Sequence, residues 1–563
     1  MNLLSKIDAA MGRIPCDLVL KNGRLLDVFS GRWQETDLAI KDGWIVGIDR
    51  GYKGSREIDL KGKSLVPGFI DAHVHVESSC MVPASFDQSV LSRGTTAAIC
   101  DPHELANVQG VSGVEYFLNA SEQTKMNLFV MLSSCVPATH LETNGGGKLK
   151  TSHLLPLVSH RNALGLAEMM NVPGVLNGDP EVMEKLESFS GYNIDGHAPL
   201  VTGKDLSAYA CAGITSCHES SELHEAEEKI SKGMAVWIRE GSVAKDLHTL
   251  IPLLDSYRSA TMGFCTDDRN PLDISKEGHV DHLVRQALKF GIAPEIAYRS
   301  ASWSVARHYG LDRLHPKRAF RLGALAPGYQ ADFLVLEDRI HCGIHAVYKA
   351  GINVQELDFG EQAFSLAENS IRTITPQETD FVGPNGSVHV IQVIPGKIIT
   401  SRRVANATDP GIARLSVLER YGHGSKPANA YVSGFGENFK GAIASSVGHD
   451  SHNLIVVGTN TSDMRSAIAH LIDSGGGFAV VRRGKVLADL PLPIGGLMST
   501  RATATMVEDL KKLRAASKVV GCELEEPFLQ LAFLSLPVIP SLKLTDKGLV
   551  DVEKFQFINV SAS

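Results

Sequence analysis

Two histidines separated by one residue, His73 and His75, end a short apolar run that reads Leu65-Val66-Pro67-Gly68-Phe69-Ile70-Asp71-Ala72-His73-Val74-His75, and Val76-Glu77-Ser78-Ser79 follows. On an extended strand, side chains at i and i+2 leave the same face, so both imidazoles can reach one metal ion. Asp71 is placed to orient them from behind. The spacing alone is a weak sign. With 21 His among 563 residues, about one His-x-His arises by chance, and a half-exposed strand carrying two unrelated histidines reads the same way. The Pro-Gly before the run and the Asp and Glu on either side of the pair favour ligation.

The same kind of residue recurs downstream at regular places. From 68 to about 318, short apolar runs alternate with helical stretches, the βα alternation of a parallel barrel. The run 95–100 leads to Asp101-Pro102-His103-Glu104, 127–132 to Ser133-Ser134, and 163–167 to Glu168. The run 193–196 leads to His197, 213–217 to His218-Glu219, 234–238 to Arg239-Glu240-Gly241-Ser242, and 262–266 to Asp267-Asp268. Any one of these residues is more often a satisfied or surface group than a ligand. An ordered series at successive strand ends is where such a fold collects a site. Mixed imidazole and carboxylate donors suit Fe(II), Mn(II) or Zn(II) and argue against a soft thiolate site.

The stretch 65–79 resembles the first-strand signature of the amidohydrolase superfamily, metal-dependent hydrolases on a (β/α)8 barrel. Its Glu77-Ser78-Ser79 tail is similar to that of the adenine deaminase family within it. The likeness continues through Asp195-Gly196-His197-Ala198-Pro199, Cys217-His218-Glu219, Ile238-Arg239-Glu240-Gly241-Ser242, Thr266-Asp267-Asp268-Arg269 and Glu277-Gly278-His279-Val280-Asp281-His282. It departs at Ala301-Ser302-Trp303-Ser304-Val305-Ala306, where relatives carry Asn-Pro before the alanine. Many dinuclear relatives that open cyclic amides use a carboxylated lysine as the bridge; the matching position here is Glu168, which favours the deaminase branch.

The resemblance implies two divalent ions per chain, Mn(II) or Fe(II) first, with Zn(II) admitted. His73, His75 and Asp267 would hold one, His197 and His218 the other, and Glu168 would bridge. It implies hydrolytic deamination of adenine to hypoxanthine and ammonia, in purine salvage, by a hydroxide shared between two ions that lower the pKa of water toward about 7. Glu77, on the histidines' face if the strand continues, is the expected acid toward a ring nitrogen. Asp267 is expected to carry the hydroxide proton to the leaving amine. Asp71, Ser78, Arg239 and Asp268 are expected to position the purine or the ligands. Two other readings compete: a dinuclear amidohydrolase acting on another aminopurine or a cyclic amide, and a barrel kept as a non-catalytic scaffold, which missing ligands would mark.

These residues need a frame. The expected architecture is α/β: a (β/α)8 TIM-like barrel over 68–318, a small composite β-sandwich from 1–67 plus 319–385, and an additional C-terminal α+β domain over 386–563 that resembles the one adenine deaminases carry. Asn22-Gly23 and Asp42-Gly43 between apolar runs read as hairpin turns, Ala350-Gly351 as a further turn, and 376–385 as a polar linker. In the last domain, Ser446-Val447-Gly448-His449-Asp450-Ser451-His452-Asn453 stands out. His449, Asp450 and His452, with His103, are candidates for an accessory metal or a cap, and the loop 490–499 for a segment facing the barrel mouth.

Composition sets outer bounds. A 44% apolar, 21% charged chain is ordinary for a globular protein. A net charge of −8 argues against a general nucleic-acid binder. Nine scattered Cys without a Cys-x-x-Cys fit reduced thiols in a cytosol. The first residues lack an apolar signal core, and the apolar run 527–542 is interrupted by Gln530, Pro537 and Pro540, too short to span a bilayer. A cytoplasmic protein acting on adenine and water is expected, without nucleic-acid or membrane partners, as a homodimer or larger homo-oligomer.

Overall fold

Eight parallel strands carry the ordered residues: β1 (Phe69–Val74), β2 (Thr95–Cys100), β3 (Asn127–Leu132), β4 (Ala163–Met169), β5 (Asn193–Gly196), β6 (Ser216–Cys217), β7 (Ala235–Arg239) and β8 (Met262–Cys265). The computed structural model describes residues 3–360, 369–424 and 426–562; of the expected small β unit, 1–2 and 361–368 lie outside the described residues. β1 and β2 are buried along their whole length, as strands with helices outside and a filled barrel inside must be. β1 to β5 pair in sequence order, as do β6 to β8. The ring closes at its mouth. Asp267 N–H donates to the His73 carbonyl at 3.0 Å, His75 N–H to the Asp267 carbonyl at 3.3 Å, and Thr215 N–H to the Ile194 carbonyl at 3.0 Å.

Ile70, Ala72, Ile99, Phe129, Met131 and Trp237 belong to one buried cluster inside the ring, so the barrel is a packed floor and not a pore. β1 shifts register against β2 between Asp71 and Val74. Such an irregularity turns the last side chains of a strand, and His73 and His75 gather at the mouth above that floor.

The small β unit is a single sheet built from both sides of the barrel. Strand Ser64–Pro67 pairs with Phe333–Asp338, and the sheet runs on through Cys16–Asp27, Arg32–Lys41 and Trp44–Gly47. Asp42-Gly43 is a two-residue hairpin turn, with Lys41 opposite Trp44 and positive φ of 48° and 79°. Ala350-Gly351 turns likewise between Lys349 and Ile352. Asn22-Gly23 does not. Cys16–Asp27 is one strand, and the pair is a bulge in it, with Asn22 at φ 55°. A bulge and a hairpin both need a left-handed residue, so the dipeptide alone does not separate them.

Beyond the barrel an eight-stranded sheet carries helices Thr461–Ser474 and Thr503–Val519, and a three-stranded sheet ends the chain. The polar stretch 376–385 is not free: it forms a short 3-10 turn, Glu378–Phe381, whose Phe381 is buried among Leu418, Leu454 and Met464. The loop 490–499 reaches the barrel, with Ser499 N–H donating to the Cys80 carbonyl at 2.9 Å. Among the described residues no helix is long and apolar enough to cross a membrane.

Gly165, three residues before Glu168, lies opposite Asn193 where β4 pairs with β5. A Cβ there would lie 1.9 Å from the Asn193 carbonyl oxygen, and backbone cannot swing aside as a side chain would. Gly165→Ala is expected to cost on the order of 1–3 kcal/mol or more through overpacking, lowering the thermal midpoint by several degrees. An unchanged midpoint would show that the two strands part freely.

Candidate functional site

His75 Nδ1 donates to the Asp101 backbone carbonyl at 3.0 Å. That bond fixes the tautomer and leaves the Nε2 lone pair free. Nε2 lies 3.1 Å from His73 Nε2, 3.2 Å from Asp267 Oδ1 and 3.4 Å from Glu168 Oε1. The other oxygen of Glu168 faces the opposite side, 2.8 Å from His197 Nδ1 and 3.2 Å from His218 Nε2. His73 stacks flat on His218, ring centroids 3.8 Å apart. The structure thus brings the buried His73, His75, Glu168, His218 and Asp267 and the half-buried His197 into one cluster, with Glu168 between two groups of imidazoles.

Burial opposes the charge on Glu168, yet the His218 charge and hydrogen bonds from His103, His197 and His218 hold its carboxyl well below the usual range. Asp267 is held down likewise, against burial, by His75 and Arg239. His73 is pushed well below an ordinary imidazole by burial and by His218 and His75, so it stands neutral, as a ligand must. Against burial, Asp267 and Glu168 raise the imidazole of His75, and Glu219 and Glu168 raise that of His197; ionised carboxylates gathered away from water are costly unless positive charge compensates them. The donor set fits borderline divalent ions.

The surroundings depart from strand logic. Asp71 does not touch either imidazole ring. It accepts from Thr266 Oγ at 2.5 Å and Thr266 N–H at 3.1 Å, and faces His279 Nε2 at 3.3 Å. It therefore fixes the turn that presents Asp267. Glu77 does not continue β1, which ends at Val74; residues Val76–Ser79 form a 3-10 turn. The turn swings Glu77 under Leu105, whose N–H donates to Oε1 at 3.1 Å, while Oε2 is buried without a partner. Burial, reinforced by the charge of Glu104, raises this carboxyl to about 8. Ser78 Oγ donates to Asp268 Oδ1 at 2.5 Å. Arg239 donates to Asp267 Oδ2 at 3.1 Å and to Asp246 Oδ2 at 2.9 and 2.7 Å, and pairs with Glu219.

His103 stands at the border of a second cluster. Its Nδ1 is 3.0 Å from Asp101 Oδ2 and 3.2 Å from Glu168 Oε1, and its Nε2 is 3.3 Å from Glu104 Oε1. Glu104 meets His449 Nδ1 at 2.6 Å and also faces His452. Asp450 lies in the same group, and Asp450 and His449 line the cavity over the Glu168 cluster with Phe533, Leu536 and Ile539. Four residues that the sequence shows only as neighbours of the candidate ligands also belong here: Asp101, Glu104, Glu219 and Thr266. Each lies within two residues of a candidate, and that adjacency is the signal the sequence carries.

Two family models cover most of the chain: "Amidohydrolase family" over 64–394 and "Adenine deaminase C-terminal domain" over 395–556. A curated adenine deaminase of Brucella suis is 48% identical over 98% of this chain and 96% of its own length. One from Cereibacter sphaeroides is 48% identical over 98% of both. Among solved structures, an enamidase described as a member of the amidohydrolase superfamily aligns at 15% identity over 60% of this chain and 95% of its own, with a TM-score of 0.45; that likeness carries no argument.

Replacing the shared carboxylate tests the geometry. Glu168→Gln keeps the shape but offers an amide nitrogen to one imidazole group and removes the charge. The variant is expected to hold at least one fewer divalent ion per chain by elemental analysis. Full metal content with unchanged activity would remove Glu168 from between the two groups.

Proposed function

The chain belongs to the adenine deaminase family of the amidohydrolases, and from that membership we infer that it hydrolyses adenine to hypoxanthine and ammonia at the cluster around Glu168. The observation that carries the location is the divided carboxylate of Glu168, one oxygen toward His73 and His75, the other toward His197 and His218. In this reading His73, His75 and Asp267 hold one divalent ion, His197 and His218 a second, and Glu168 both. Mn(II) or Fe(II) is proposed, with Zn(II) compatible with the same donors. Ions so held lower the pKa of water toward about 7 and so supply hydroxide at neutral pH.

The remaining steps belong to the protein's own side chains. Attack at C6 breaks purine aromaticity, and it is feasible only if a ring nitrogen gains a proton as the bond forms, so that no negative charge builds up on the ring. Glu77, buried, raised to about 8 and with Oε2 unpartnered, carries such a proton at neutral pH. Asp267 takes a proton from the nucleophile and returns it to the departing amine. Arg239 holds Asp267 Oδ2, so that Oδ1 stays turned toward His73 and His75. Asp268, tied to Ser78, lines both the cavity over Glu168 and the adjoining one that Glu77 lines, so the two meet at its carboxylate. Met170, Ile398, Phe533, Leu536 and Ile539 give the mouth an apolar lining, which suits the faces of a purine base. The product chemistry is that of purine salvage.

Ultraviolet-monitored turnover of adenine by protein loaded separately with Mn(II), Fe(II) and Zn(II) tests the reading. Hypoxanthine formation with about two ions per chain is expected. Two ions without turnover would redirect the search to other aminopurines and cyclic amides. In the same assay Glu77→Gln is expected to lower kcat by about 10²–10⁴-fold with metal content intact. A change confined to KM would show that Glu77 binds but transfers no proton.

A further inference from the structure

His449 and His452 lie far along the chain from the barrel, yet both meet Glu104, on the helix His103–Gln109 that follows β2. Two imidazoles on one buried carboxylate invite a third cation, but the hydrogen bonding of His452 argues otherwise. Gly448 N–H donates to His452 Nδ1 at 3.2 Å. That nitrogen therefore holds the lone pair, and the proton of the neutral ring sits on Nε2, toward Glu104. Burial pushes this imidazole down to about 4, which keeps it neutral. A ring so disposed carries its proton on Nε2 and so does not ligate there.

His449 is arranged differently. Its Nδ1 pairs with Glu104 Oε1 at 2.6 Å, while its Nε2 is buried and meets no protein partner. The ring lies almost parallel to Phe533, centroids 4.7 Å apart at 15°. Its backbone N–H donates to the Ala532 carbonyl at 3.2 Å, and its carbonyl accepts from Ser535 Oγ at 3.3 Å. Main chain, carboxylate and aromatic face thus fix the ring's position and tilt. Against burial, the charges of Glu104, Asp268 and Asp450 raise the imidazole to about 9, so both ring nitrogens carry protons and Nε2 is a donor. His449 lines both the cavity over Glu168 and the adjoining cavity of Glu77 and Asp268. A buried, oriented donor without a partner, beside a cavity, is satisfied when a ligand brings an acceptor.

We propose that His449, from the C-terminal region, is a purine-binding residue whose Nε2–H donates to an acceptor nitrogen of the substrate ring, and that Glu104 is the positioning residue that aims it. The inference rests on adenine being the substrate. It gives the C-terminal region a direct part in recognising the base, beyond covering the barrel.

Two isosteres separate recognition from mere latching. The amide nitrogen of glutamine falls near the place of Nε2, and that of asparagine near the place of Nδ1. His449→Gln, which keeps a neutral donor there, is expected to raise KM for adenine by less than about tenfold. His449→Asn is expected to raise KM about 10- to 100-fold, the scale of one hydrogen bond from a charged group. Both variants should retain the parent's metal content and lose less in kcat than in KM. Among deaza analogues that each lack one ring acceptor, a single one should bind the parent and the Asn variant equally. The reverse ranking, with Asn better than Gln, would mean that the Glu104 contact is all His449 provides, and equal losses in both variants would also overturn the proposal. Parent turnover in the same assay separates the two levels: without it the deamination reading falls and takes this inference with it, whereas with it a reversed ranking sinks the inference alone.

Discussion

One buried carboxylate has to satisfy imidazoles on both of its sides. Glu168 sits at the centre of the mouth with one oxygen toward His73 and His75 and the other toward His197 and His218. A carboxylate taken out of water loses more than one cation or donor repays. It is stable there only if several strands hold their donors at fixed places around it. The barrel meets that demand because each strand ends on the same rim, and the bonds between β8 and β1 close the rim at Asp267 and His73. The mixed ion pairs seen around Glu168 share this one requirement.

A second layer keeps the first from collapsing. The Asp101 carbonyl sets the tautomer of His75, Asp71 holds Thr266 and thereby the turn to Asp267, and Arg239 ties Asp267 to Asp246 and Glu219. These partners act on orientation, which matters because a donor turned by a fraction of a rotamer no longer converges. The C-terminal region continues the same logic outward. Glu104 binds the barrel to the loop of His449 and His452, and Phe533 closes over the imidazole. The cavity walls therefore come from segments more than three hundred residues apart in the chain.

Much of this was legible before any coordinates. The alternation of apolar runs and helical stretches located the strands, and six residues at strand ends marked the cluster. Asp42-Gly43 is a hairpin turn, with Lys41 opposite Trp44. Asn22-Gly23 was read as another and is a bulge, because positive φ is the local requirement of both and only the partner strand decides between them. Glu77 shares the histidines' face only if the strand continues, and β1 instead gives way to a 3-10 turn after Val74. Nothing in Val-Glu-Ser-Ser forbids extension; the turn follows from packing under Leu105 and against the loop at Ser499.

By itself the sequence determined the barrel, the kind of donors it gathers and the family to which the chain belongs, because periodicity and residue type act over a few positions and survive in any context. The tertiary structure decided what needs two distant segments at once: that Asp71 braces a turn and not a ring, that His103 borders Glu168, that Glu104 clamps a loop of the C-terminal region, and that His449 is left with a donor beside the cavity. Charge balance and hydrogen-bond satisfaction in a buried site are properties of neighbours in space, and a linear order of residues does not carry them.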